Sequence, residues 1–324
     1  MRRLFLFIAL AGGALAPAWA EQDSAAVSWL ERIAAAAQRL NYSGTFVYQS
    51  GGQTETSRIT HLVDGAGQRE KLEVLDGSPR EVIRMNDEVR CFLPEERMVI
   101  VERQEGRKAF PARLPASLSD LSKHYRIRMG DLSRVAGFEA RQVILEPKDS
   151  LRYGHMLWAD TGTGLLLRAR MVNERNEAIE QFYFTQLQIG GAIDKQMLKP
   201  RFDAAPQAWQ VHRARTMESG ADDAAWVFRA ELPGFTRSPG MKRQLQDGQP
   251  MTTQYVFSDG LAAISVFIEP LAGKRERPQP GMFSTGAMSV YKRIVGDYGL
   301  ILVGEVPPQT LKTLGGGIEP RKGQ

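Results

Sequence analysis

Four histidines, one cysteine and a scatter of acids are the residues of this chain that could do chemistry, and their spacing gives them little to do together. His61, His124, His155 and His212 are far apart, with no two within helical reach. A zinc protease needs two histidines one helical turn apart around a glutamate, and a structural zinc site needs paired cysteines. Neither pattern occurs. There is also no Gly-x-Ser-x-Gly elbow and no phosphate-cradling glycine loop between a strand and a helix. Cys91, the only cysteine, alternates with Val89 and Leu93, which places it on an apolar strand face as a buried, inert thiol, with an intermolecular disulfide as the alternative. The acids stand singly on strand patterns, although a sheet can bring distant acids together. The expectation is a binding protein, not an enzyme, with no catalytic residue, no metal and no cofactor.

The residues that could bind are aromatic and cationic. Phe46 and Tyr48 share one strand face, and Phe182 and Phe184 share another, with Tyr42, Trp158 and Tyr183 near them in the pattern. Two readings stand: a core closed by a helix, or a concave sheet whose apolar pocket takes an acyl chain or a peptide. Lys274, Arg275 and Arg277 form a basic cluster in the glycine- and proline-rich stretch 272–286, which reads as a mobile loop suited to an anionic group. Beside it lies "DGLAAISVFIEPL", 259–271. One face is Ala262, Ile264, Val266 and Ile268, which should pack on a C-terminal helix. The other carries Phe267 and Glu269, which are candidates for a partner or the rest of the chain.

The elements that must position these groups are mostly strands. Residues 23–40 read as a helix, with Trp29, Ile33, Ala36, Ala37 and Leu40 at helical spacing. From Gly44 the period becomes 2, and short runs broken by Gly, Pro and Asp make an antiparallel meander to about residue 193. "PASLSDLSKHY" interrupts it with a short helix. Pro200 and Pro206 mark a linker over 194–215. A second β-rich unit covers 216–318, with hairpin turns at Asp259-Gly260 and Asp297-Tyr298-Gly299. Its helix, "PPQTLKTL", starts at Pro307 or Pro308 and stops at Gly315. A short tail, 319–324, follows.

The N-terminus sets the compartment. Arg2 and Arg3, an apolar run over 4–15 and Ala18-Trp19-Ala20 form a secretory signal peptide, with cleavage expected between Ala20 and Glu21. Removing it leaves 40 Lys and Arg against 37 acids, or +3. That balance permits an acidic partner without demanding nucleic acid. With one cysteine there is no internal disulfide, so an exported chain of this kind relies on its core. A Gram-negative periplasm is the expected address.

Seven stretches carry a resemblance: "GTFVY" (44–48), "RYG" (152–154), "DTGTGLLL" (160–167), "ERNEAIEQFYFTQL" (174–187), "LPGF" (232–235), "DGLAAISVFIEPL" (259–271) and "LVGEVP" (302–307). In this order, over nearly the whole mature chain, they resemble the RseB/MucB family of periplasmic regulators of the sigma-E envelope stress response. The resemblance implies a mixed α+β protein. Its N-terminal domain would be an unclosed antiparallel β-barrel with helices in its concavity, similar to the lipoprotein carriers LolA and LolB, followed by a smaller C-terminal α/β domain. It also implies a negative regulator. Such a protein binds the periplasmic domain of an RseA/MucA-type anti-sigma factor, shields it from site-1 proteolysis, and is released by lipopolysaccharide or lipoprotein acyl chains. Tyr42, Phe46, Tyr48, Trp158, Phe182 and Phe184 are then the pocket candidates. The alternative on fold alone is a carrier that moves lipid or lipoprotein between membranes. The second domain, which a carrier does not need, speaks for the regulator.

Overall fold

The computed structural model describes residues 18–103, 118, 120–202, 209–213, 215–218, 225–244, 251–271 and 279–321. The expected signal peptide up to residue 17 and the cations Lys274, Arg275 and Arg277 therefore lie outside the described residues. A helix, α1 (Ala18–Arg39), leads into six strands: β1 (Tyr42–Ser50), β2 (Gln53–Asp64), β3 (Gly67–Val74), β4 (Glu81–Met85), β5 (Glu88–Leu93) and β6 (Met98–Arg103). After the short α2 (Leu121–His124) come β7 (Tyr125–Val135), β8 (Phe138–Pro147), β9 (Gly154–Asp160), β10 (Leu166–Val172), β11 (Ala178–Ile189) and β12 (Gln210–Arg213).

These strands form one unclosed sheet in the order β12-β6-β5-β4-β3-β2-β1-β11-β10-β9-β8-β7. All neighbours run antiparallel except β12, which lies parallel to β6. The sheet curls until β7 approaches β11, and α1 lies against β7, β8 and β10. The alternating pattern explains the fold: most strands have one apolar face, which α1 covers over β7, β8 and β10, while Ile83, Phe92 and Val99 of β4–β6 pack with Phe202 and Trp209. The buried stripe of α1 is Ala26, Leu30, Ile33, Ala36 and Ala37. Trp29, expected in the stripe, sits at its margin beneath the guanidinium of Arg32, 4.3 Å away.

The second unit contains β13 (Arg215–Glu218), β14 (Trp226–Phe228), β15 (Thr236–Arg237), β16 (Met241–Gln244), β17 (Thr252–Ser258), β18 (Ala263–Pro270), β19 (Gly281–Thr285), β20 (Met288–Val295) and β21 (Tyr298–Gly304), then α3 (Pro308–Gly316) and β22 (Ile318–Pro320). Its main sheet runs β13-β16-β17-β18-β21-β20-β19, with β15 on β17, and β14 pairs with β22. It is an antiparallel sheet carrying one helix, not an alternation of strands and helices. Ile264, Val266 and Ile268 of β18 are buried in one core with Leu311 and Leu314 of α3, while Ala263, Phe267 and Glu269 face away and stay at least partly exposed.

Some elements differ from the sequence reading. Within 194–215, Asp194 caps a 3-10 turn at Lys195–Leu198, and β12 adds to the large sheet. The turn is anchored by Lys71, whose ammonium donates to the Lys199 carbonyl and pairs with Glu81. Residues 281–285, placed in a loop, pair with β20. Cys91 is half-buried, with burial pushing its thiol pKa up.

Candidate functional site

The aromatic candidates separate onto two faces. Phe46 lies opposite Phe184, and Tyr48 opposite Phe182. Phe46, Phe182 and Phe184 meet edge to face at centroid distances of 5.8–6.3 Å and are buried with α1 in one core. Tyr42 joins that core, stacked on His61 at 4.9 Å. Tyr48 is half-buried, with its hydroxyl against Glu180. Trp158 lies opposite Arg168, which lies opposite Tyr183, so all three occupy the outer face. The six residues therefore do not line one hollow. On the inner face α1 packs in one core with Tyr42, Phe46, Phe182 and Phe184, and none of the three clefts below is lined by any of the six.

What the structure brings together is the seam between the two units. Arg152 of the large unit and Asp259 of the small one form an ion pair, Nη1 to Oδ2 at 2.7 Å, with both side chains 0% exposed. The same guanidinium donates through Nε to Asp149 at 3.0 Å and through Nη2 to the Pro233 carbonyl. It lies over the rings of Phe235 and Tyr125, 4.9 and 5.7 Å from their centroids. The Tyr125 hydroxyl donates to the same Asp259 oxygen at 3.2 Å, and burial, then Asp259, holds that phenol protonated. The other oxygen of Asp259 accepts from the Leu261 and Ala262 amides at 2.9 and 2.8 Å, shaping the turn after Gly260, whose φ is +99°. Each charge is thus satisfied on all sides, the condition under which a buried pair is tolerable.

Around this pair the units interpenetrate. Leu261 packs against the large core and Leu151 against the small one. Thr310 Oγ1 donates to the Leu151 carbonyl at 3.0 Å, and Tyr153 bonds to Ser289. A cleft of about 1040 Å³ opens on one side, lined by Lys148, Tyr153, His155, Arg175, Pro307 and Gln309 among others. A second, of about 500 Å³, is lined by Lys123, His124, Phe235 and Asp259. A third, of about 330 Å³, lies away from the seam between the 3-10 turn and Ile83, Met85 and Phe92. His155, at the lip of the first cleft, has its pKa lowered to about 4 by burial, which Asp259 only partly offsets. The charges at the centre of the seam, Arg152, Asp149 and Asp259, are consumed by one another. Among the described residues no group of three or more His, Cys, Asp or Glu could hold a metal ion, and no helix is long and apolar enough to cross a membrane.

Sequence reasoning missed the Arg152–Asp259 pair because 107 residues separate its members. The available signal was that both sit inside quoted motifs, "RYG" and "DGLAAISVFIEPL". "LPGF" supplies Pro233 and Phe235, and "LVGEVP" supplies Pro307. Four of the seven motifs that carry the resemblance meet at the seam.

Comparison with known proteins agrees. Residues 25–202 match the model of the MucB/RseB N-terminal domain, and residues 220–319 that of the MucB/RseB C-terminal domain. The chain belongs to the MucB/RseB family. It is 33% identical to the sigma factor AlgU regulatory protein MucB of Pseudomonas aeruginosa, covering 99% of this chain and 98% of that protein. It is 24% identical to the sigma-E factor regulatory protein RseB of Escherichia coli K12, covering 98% of each. The crystal structure of MucB in complex with MucA(peri) superposes with a TM-score of 0.70 at 31% identity, covering 92% of this chain and all of that one. Both units of this MucB/RseB chain are therefore matched, not the large sheet alone.

Proposed function

We propose that this chain is a periplasmic negative regulator of a sigma-E or AlgU-type factor. It binds the periplasmic domain of an RseA/MucA-type anti-sigma factor and keeps it from a site-1 protease. One observation carries the reading: the end-to-end likeness, through both units, to a MucB solved with MucA(peri). The family is one of regulatory binding proteins, and the seam, with its clefts, is the surface on which a peptide would touch both units at once. A peptide held at micromolar affinity is bound by about 8 kcal/mol.

Lipopolysaccharide or lipoprotein acyl chains are the proposed releasing ligands, since each buried methylene contributes about 0.8 kcal/mol. In this reading the lipid reaches Tyr42, Phe46, Phe182 and Phe184 by lifting α1 from the inner face, which loosens the LolA-like half. Lys274, Arg275, Arg277, Phe267 and Glu269 are proposed for headgroup or partner contacts. The test is calorimetric titration with the periplasmic domain of the cognate anti-sigma factor, followed by digestion with the site-1 protease. Binding and slowed cleavage are expected. Absence of binding at about 100 μM, which is weaker than about 5.5 kcal/mol, would overturn the reading. Transfer of lipoprotein between vesicles without anti-sigma binding would make it a carrier.

A further inference from the structure

The outer face of the large sheet carries two arginines with no acid to neutralise them. Arg168 and Arg170 stand two residues apart on β10, on the same side of the sheet. Among the described residues neither makes an ion pair, although the molecule pairs Arg58, Arg69, Arg80, Arg90, Arg128 and Arg152 with carboxylates. Both guanidinia converge instead on one neutral oxygen: Arg168 Nη2 donates to Gln181 Oε1 at 3.1 Å, and Arg170 Nε and Nη2 donate to the same atom at 3.4 Å. The Gln181 amide is turned to present that oxygen because its nitrogen donates to Gln49 Oε1.

Both cations also lie over the Trp158 ring, at 4.8 and 5.8 Å, and Arg168 lies 6.0 Å from the Tyr183 centroid. The Nε–H of Arg168 is buried with no acceptor. Its surroundings and then Arg170 pull the Arg168 pKa down. One arginine would suffice to cover the tryptophan. Two like charges sharing one neutral acceptor, with a buried donor left over, form an arrangement that an incoming anion relieves.

We infer that Arg168 and Arg170, framed by Trp158 and Tyr183, form a docking site for an extended acidic segment of a partner protein. A carboxylate matches the planar guanidinium fork. Aspartates or glutamates at alternate positions of an extended chain repeat about every 6.6 Å, the same spacing as residues 168 and 170. The site lies on the outer face, apart from the seam, and the inference stands independently of the anti-sigma reading.

The test titrates the full chain with a fluorescein-labelled hexapeptide of alternating serine and aspartate, and with its serine–asparagine counterpart. In parallel, arginine Nε–H resonances are followed by NMR. The acidic peptide should bind saturably and move the Arg168 Nε–H signal. The neutral peptide should do neither. The R168Q/R170Q double variant should lose at least about tenfold in affinity, and R168K should fall well short of wild-type affinity, because ammonium lacks the fork. Equal binding of both peptides, or an unmoved Arg168 signal at saturation, overturns the inference without requiring the variant to fold. So does binding of phosphate or of anionic phosphatidylglycerol vesicles at this face where the acidic peptide fails.

Discussion

His61 and His155 are held neutral by their surroundings, and this makes stability depend on acid. His61 is buried, with Nδ1 2.7 Å from the Leu40 carbonyl and Nε2 2.8 Å from the Gln68 amide nitrogen. Those partners assign a ring that donates at Nδ1 and accepts at Nε2, which leaves no place for a second proton. Burial lowers its pKa, and lowers that of His155 to about 4 from an ordinary 6.5. In the unfolded chain both rings take a proton near pH 6.5. Between that value and about 4 the unfolded state binds more protons, so the contribution is complete above pH 6.5 and is lost as pH falls toward 4. For His155, after discounting its partly exposed edge, this amounts to about 2 kcal/mol. Urea denaturation of the full chain at pH 7, 5.5 and 4.5 should show this fall, and His155→Gln should flatten it. An unchanged slope in the variant would remove His155 from the account.

At the scale of elements, the two sheets meet turn against turn. The β1–β2 turn at Gly51 and the β19–β20 turn at Gly286 both use φ of +57°. A Cβ on Gly286 would fall 2.7 Å from the Gly51 nitrogen, and one on Gly51 would fall 2.8 Å from the Gly286 nitrogen. Gly296 has φ +58° but would meet nothing within 4 Å. Gly296→Ala should therefore cost only backbone strain, about 1 kcal/mol, whereas Gly286→Ala should cost about 1–3 kcal/mol more, because backbone must move. Equal losses in chemical denaturation would show that the two turns do not press together. Alternation made most of these strands legible, including the all-apolar face of β18. The short strands β12, β13, β15, β16, β19 and β22 escaped it, the last of them falling partly in the expected tail, and for two the reason is identifiable. β12 is four residues long and exposed throughout, so it has no buried face to alternate. β19 has Phe283 outward and follows a stretch whose glycines and prolines read as loop. The face of Trp158 was misjudged because it depends on a register, Trp158 against Arg168 against Tyr183, that only pairing fixes.

For the whole molecule, the question is whether the two units move as one. Proline-marked joints and modest interfaces make relative motion the default, and a lipid that changed the angle between units could release a peptide held by both. The seam opposes that motion. Opening it would break the buried Arg152–Asp259 pair and the Tyr125, Pro233 and Leu151 hydrogen bonds around it. A releasing ligand must offset that loss by binding the open state more tightly than the closed one. Asp259→Asn is the direct probe, because it removes the charge while retaining the Oδ1 acceptor that shapes the turn. Calorimetric unfolding of the wild-type chain should show one cooperative transition. Asp259→Asn should separate the small unit's transition and lower it, and should make the anti-sigma domain easier for lipid to release. The double variant Arg152→Met/Asp259→Asn should recover part of the loss, since no unpaired buried charge remains and the asparagine at position 259 keeps the Oδ1 acceptor of the turn. If Asp259→Asn unfolds in a single transition within about 0.5 kcal/mol of wild type, a change typical of surface sites, the pair does not lock the units. Release by lipid would then need no break at the seam.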